Sequence, residues 1–240
     1  MSFVISTAAT ETQEIISGLG VVTQTGSLST TDSNAINVTG TARLLIAGTV
    51  SARSTAIAAT VCLSSQQFVL QVTDTGNLYG DRGVTNGGTM LSSLIGNAGG
   101  IHALEEAIFM NAIAMTLVNS GTVTSTRSDG VRINASETVE LRNSGTISAD
   151  YFDADGAAMA ALKVTSTGND QVLTVHNSGT MVGNIGILAE SASGDQSIVN
   201  TGLISGRFTA MSLGNGFSEV LNAGTITGRV FLAGGDDEFD

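Results

Sequence analysis

The chain carries two histidines, His102 and His176. Imidazole acts as a general acid or base when a carboxylate or substrate stands within hydrogen-bond reach. These two are far apart in sequence, and no nucleophile elbow, metal-ligand spacing or phosphate-binding loop accompanies either. The densest mixed-charge stretch is Arg132, Glu137, Glu140 and Arg142. Carboxylates gathered beside a base would suit polysaccharide cleavage. Charges at alternating positions are also the pattern of a strand with one wet face. Asp150, Asp153 and Asp155 form an acidic cluster whose oxygens could meet calcium. Tyr151 occupies the first ligand position of an EF-hand pattern, so a solvated interaction loop is expected there instead. The expectation is a protein without a catalytic centre.

The elements that hold these residues come from a repeat. Its copies are Asn119-Ser-Gly-Thr-Val-Thr-Ser125, Asn143-Ser-Gly-Thr-Ile-Ser-Ala149, Asn177-Ser-Gly-Thr-Met-Val-Gly183, Asn200-Thr-Gly-Leu-Ile-Ser-Gly206 and Asn222-Ala-Gly-Thr-Ile-Thr-Gly228. The period is roughly 22–24 residues, with one longer interval holding the insertion at 150–155. Weaker copies at Gln24, Ile46, Asp74 and Asn97 keep the glycine and the later apolar residue. An apolar residue lies two before each Asn and another four after it, so each unit reads as strand, tight turn, strand. The turn glycine is expected to supply positive φ. A further strand starts at Asp129-Gly130. Residues 101–118 read as a longer strand pair or a short helical excursion.

Units this short cannot bury an apolar face alone, but stacked units can. The spacing predicts an all-β chain, a single-stranded parallel β-helix (β-solenoid) of some nine or ten turns, about 45 Å long. Asn119, Asn143, Asn177, Asn200 and Asn222 then stand one above another, where their amides can hydrogen-bond along the rod. A parallel Thr column breaks at Leu203 and is read as structural. Residues 1–20 are a candidate N-terminal cap, 21–232 the solenoid repeats and 233–240 a separate terminal turn.

Composition narrows the function. The net charge is −12, with 9 basic against 21 acidic residues, which argues against nucleic-acid binding. No apolar stretch is long enough to span a membrane. The nearest, 101–118, contains His102, Glu105, Glu106 and Asn111. The N-terminus has no basic region before Arg43, so a conventional (Sec) secretory signal is not expected. Cys62 is the single cysteine and makes no internal disulfide.

Gly235, Asp236, Asp237 and Phe239 resemble part of the RTX (hemolysin-type) repeat, G-G-x-G-x-D-x-U-x. Ala233 departs from the glycine expected two residues before Gly235. The resemblance implies calcium as cofactor, with Asp236, Asp237 and Asp240 among its ligands and Phe239 pointing into the coil. It also implies that one site draws ligands from two stacked repeats. The Asn-x-Gly-Thr-Ile units are similar to passenger regions of bacterial autotransporters and large secreted repeat adhesins. That likeness implies a right-handed coil, placed extracellularly or on a bacterial surface. The RTX likeness implies type I secretion by a C-terminal signal beyond Asp240. The reading is a structural or adhesive rod, with itself or a surface glycan as partner. The alternative is a carbohydrate-active module, either lyase-like or glycan-binding.

Overall fold

Alternating Val, Ile, Leu and Ala leave each strand one face to bury, and strands this short need stacked partners to bury it. The computed structural model describes residues 2–31, 34–59, 67–150, 159–168, 170–190 and 194–240. Among the described residues there is no helix, and the strands pair in parallel with their equivalents one coil away. The molecule is a parallel β-solenoid with three sheet faces.

The first face stacks Phe3–Ile5, Gly18–Val22, Ala42–Ile46, Gln67–Val72 and Met90–Asn97. It continues through the second halves of Ile108–Asn119 and Val131–Asn143, then Val172–Asn177, Gln196–Asn200, Ser218–Asn222 and Glu238–Phe239. The second face stacks Ala8–Ala9, Ser27–Thr30, Thr49–Ala52, Asn77–Gly80, Gly100–Ala103, Thr122–Ser125 and Thr146–Ala149. It ends on the first parts of Thr180–Glu190, Leu203–Ser212 and Thr225–Phe231. The third face runs from Gln13–Ile15 through Ile36–Val38, Thr55–Ala59 and Arg82–Asn86. It passes the first halves of Ile108–Asn119 and Val131–Asn143, then Ala160–Ser166, and finishes on the second parts of the last long strands.

Several long strands turn the corner between faces. Ile108–Asn119 and Val131–Asn143 do so where the register shifts between Ala112 and Ala114. The 101–118 segment is therefore a strand pair, Gly100–Ala103 and Ile108–Asn119. Residues 1–20 contribute strands in register with the next coil, so coiling starts before residue 21.

Inward columns are mainly aliphatic. Leu44, Leu70, Ile95, Leu117, Leu141 and Val175 follow one another on the first face, fully buried. Phe68 heads the largest fully buried side chains and stacks between small Ala42 and Ser93. A narrow coil at near-crystalline density accepts one large ring only where its neighbours are small.

The turn glycines overturn one expectation. Left-handed φ occurs at Gly18, Gly228, Gly235 and Ala233, not at the glycines of the Asn-x-Gly turns. Those turns need glycine because the backbone stacks too closely for a side chain. Thr146 N donates to Gly121 O at 2.9 Å, and Thr180 N to Gly145 O at 2.8 Å. A Cβ on Gly145 would be driven into the carbonyl oxygen of Gly121, and one on Gly179 into that of Gly145. Gly145→Ala should therefore destabilise by about 3 kcal/mol, since overpacked backbone cannot yield cheaply. Gly87, where an added Cβ meets nothing within 4 Å, is the control. Gly87→Ala should stay within about 0.5 kcal/mol in urea unfolding.

Candidate functional site

An amide column runs through six residues, Asn97, Asn119, Asn143, Asn177, Asn200 and Asn222. Asn97 Nδ2 donates to Asn119 Oδ1 at 2.8 Å, Asn119 to Asn143 at 2.8 Å, and Asn143 to Asn177 at 2.8 Å. Asn177 donates to Asn200 at 2.8 Å and Asn200 to Asn222 at 2.7 Å. Each of the five donors, Asn97 to Asn200, also bonds a backbone carbonyl of the next coil, as Asn119 does to Thr146 O at 3.2 Å. Asn97 through Asn200 are buried. Their hydrogen-bonding capacity is turned inward to the fold, which makes the column a structural spine. A second amide stack joins Asn134 Nδ2 to Asn111 Oδ1 at 2.8 Å, while Asn111 N donates to Asn86 Oδ1 at 2.7 Å. Its members recur at nearly the same period as the main column, which was the signal available in the sequence.

The C-terminal carboxylates do not converge. Asp236 and Asp240 are exposed, and Asp237 Oδ1 accepts from Ser218 N at 3.0 Å, one coil back. Among the described residues no three His, Cys, Asp or Glu side chains stand close enough to hold a metal. Asp236, Asp237 and Asp240 thus do not form a three-carboxylate group in this chain. Phe239 pairs in register with Val220 but is half exposed. Ala233, where the repeat pattern has glycine, takes φ 61° and so sits in the left-handed region. Asp150 is exposed, with its N–H donating to Ser125 O at 2.9 Å. Asp153, Asp155 and Cys62 lie outside the described residues.

The mixed-charge stretch is divided between faces. Arg142 Nε bonds Glu140 Oε1 at 2.6 Å on the first face. Arg132, on the third, stands 5.5 Å from the Phe109 ring centroid and 3.9 Å from Glu106. Glu106 and Glu105 share Arg82, at 3.1 and 2.9 Å. This cluster draws on residues from three coils, so linear spacing did not show it. Behind it lies the buried Asp129, whose Oδ1 accepts from Ala160 N at 2.8 Å. Burial pushes its carboxyl above the usual carboxylate value, and nearby Glu106 adds to the rise. The Ala160 N–H, Lys163 and Arg132 oppose it. His102 stacks on Tyr79 on the second face, with ring centroids 5.3 Å apart, and partial burial lowers its pKa. His176 faces outward on the first face, one coil from Arg142.

A groove runs beside the amide spine. The residue after each spine Asn is small: Ala98, Ser120, Ser144, Ser178, Thr201 and Ala223. The residue before each belongs to an outward column that includes Val118, Arg142, His176 and Val199. Between these columns lie successive depressions of about 320, 260 and 220 Å³. The first two share Val118, and the last two share Val199 and Thr201. Arg142 and His176 line the middle one and also a depression of about 430 Å³ on their other side. Residue spacing alone does not reveal the groove, which needs the register of neighbouring coils. Comparison with protein families, with curated proteins and with solved structures finds no match to this chain.

Two outcomes follow from the local geometry. With its folded-state pKa above the unfolded value, Asp129 takes up a proton on folding in the interval between them. Its contribution is therefore most favourable below the unfolded pKa and is lost as pH rises through the folded one. Asp129→Asn keeps an acceptor for Ala160 N, so it should raise the melting temperature at pH 7 and flatten that part of the pH profile. Asp129→Ala should lower it at every pH. Ala233→Gly should stabilise by about 1 kcal/mol by relieving the left-handed φ, measured by thermal melting.

Proposed function

We propose that the protein is a non-enzymatic structural or adhesive rod, a segment of an extracellular surface layer, filament or adhesin. The observation that carries this is the coil-to-coil register of backbone and spine amides, with the same turn contacts repeated from Asn97 to Asn222. A rod built this way lengthens by adding coils without changing its cross-section. The charges also favour a rod over a polysaccharide-cleaving enzyme. Arg82, Glu105, Glu106 and Arg132 pair with one another on one side, and Glu140 with Arg142 on another. The acidic, lysine-poor surface suits an extracellular medium rich in salt and divalent cations, where screening limits self-repulsion.

Calcium enters this reading as a bridge. Asp236 and Asp240 are exposed beside the edge of the last strands, and a further coil stacked there would bring the missing oxygen ligands. A second copy of the chain can provide such a coil. Light scattering and negative-stain microscopy in millimolar calcium should show elongated assemblies that shorten on chelation. Asp236→Asn should remove the calcium-dependent part while leaving the melting temperature in chelator unchanged. Short monomeric rods in both conditions would refute calcium-bridged assembly.

A further inference from the structure

We propose that the groove beside the amide spine binds a linear polysaccharide whose carboxylated sugars are spaced among neutral ones, with one carboxylate seated on Arg142. The proposal goes beyond the rod reading: it needs the fold, but neither calcium nor stacking of copies.

The shape comes first. Successive depressions adjoin at shared lining residues, so they form a lengthwise row along the spine. The small residue after each spine Asn keeps it open, and coils about 4.8 Å apart repeat the same contacts along its length. A polymer with a short, regular repeat fits such a row better than a compact ligand.

The lining then selects the chemistry. Val118 is 41% exposed and, with Val199, offers aliphatic surface for the C–H faces of sugar rings. Ser144, Ser178 and Thr201 line the same middle depression. Their hydroxyls make long bonds to spine carbonyls, at 3.5, 3.4 and 3.5 Å, and keep lone pairs for sugar hydroxyls. Arg142 gives its Nε to Glu140, which fixes the guanidinium and leaves its two terminal nitrogens for a bidentate carboxylate. His176, one coil further on, adds a hydrogen-bonding ring to the same depression.

Charge sets the density of carboxylates on the ligand. Glu140 lies beside Arg142, Asp240 lines the last depression, and the chain carries −12 overall. A polyanion charged at every unit would meet Glu140 beside Arg142 and Asp240 in the last depression, with Arg43 as a second cation in the first. Carboxylates isolated among neutral sugars need not face either acid. An extended peptide gains little here, because the backbone groups flanking the groove already bond from coil to coil. Without an open strand edge in the groove, β-strand addition has no partner.

The test is affinity electrophoresis and calorimetry in chelator, where calcium-bridged assembly is switched off. The probes are glucuronoxylan oligosaccharides, their carboxyl-reduced form and a poly-aspartate peptide. Glucuronoxylan should bind, and carboxyl reduction or Arg142→Ala should each weaken binding about tenfold. Ser178→Trp should fill the groove and abolish binding with the melting temperature kept. Ser51→Ala, on the second face, should bind as the parent does. Failure to bind either saccharide, or equal binding by Arg142→Ala, overturns the proposal. Tighter binding of poly-aspartate also overturns it and makes an acidic peptide the occupant.

Discussion

In the turn between the first and second faces, the carbonyl of each glycine accepts a hydrogen bond from the coil stacked on it. That contact sets the coil spacing on which everything else depends. Thr122, Thr146, Thr180 and Thr225 all donate this way, at 2.8–2.9 Å. The approach is close enough that no Cβ fits between successive turns. Once the turns are clamped, the strands on either side fall into parallel register without further specification. Aliphatic columns then meet inside because their period is the period of the clamp. The fold is thus fixed at its tightest point, and the apolar core fills the space that point defines.

The amide spine has a direction. From Asn97 to Asn200 each Nδ2 points toward the next coil, so each bond polarises the one beyond it in a low-dielectric setting. A chain of this kind must leave an acceptor over where it starts. It starts at Asn97, whose Oδ1 has no partner, because the residue in register one coil earlier is Val72. Before that point the same column is Ile5, Val22, Ile46 and Val72. The rod therefore uses two solutions for one position: aliphatic packing in its early coils and hydrogen bonds in its later ones. A buried polar group costs more than an apolar one when unpaired and about as little when paired. Both solutions are tolerable internally, and the cost falls on the single junction between them.

Much of this was legible from residues alone. The Asn-x-Gly copies gave the period, the turn and the column, because a one-dimensional stack writes its geometry directly into sequence spacing. The reason for the glycine was not legible, since positive φ and close stacking both demand the same residue. Nor was the cluster of Arg82, Glu105, Glu106 and Arg132, whose members come from different coils. The grouping of Arg132 with Glu140 failed for a related reason. A chain that turns a corner between them puts neighbours in sequence on different faces. The groove escaped notice because it is an absence of volume, read from the small residues after Asn only when both flanking columns are in place.

Outward positions leave this molecule more room for varied chemistry than inward ones. Inward positions are constrained by their neighbours in two coils at once, as Phe68 shows by needing Ala42 and Ser93 beside it. The outward column beside the spine is constrained only by the pleat, and its identity changes from coil to coil: Val118, Arg142, His176, Val199. A column that changes in chemistry while its neighbour stays small creates a groove whose shape is repetitive and whose contacts are not. Under the polysaccharide-binding proposal, shape comes from the architecture and selectivity from the few coils where a long polar side chain enters. On this rod that place is the pair of coils carrying Arg142 and His176. There a guanidinium is held by a carboxylate, and hydroxyls and aliphatic walls meet along one line.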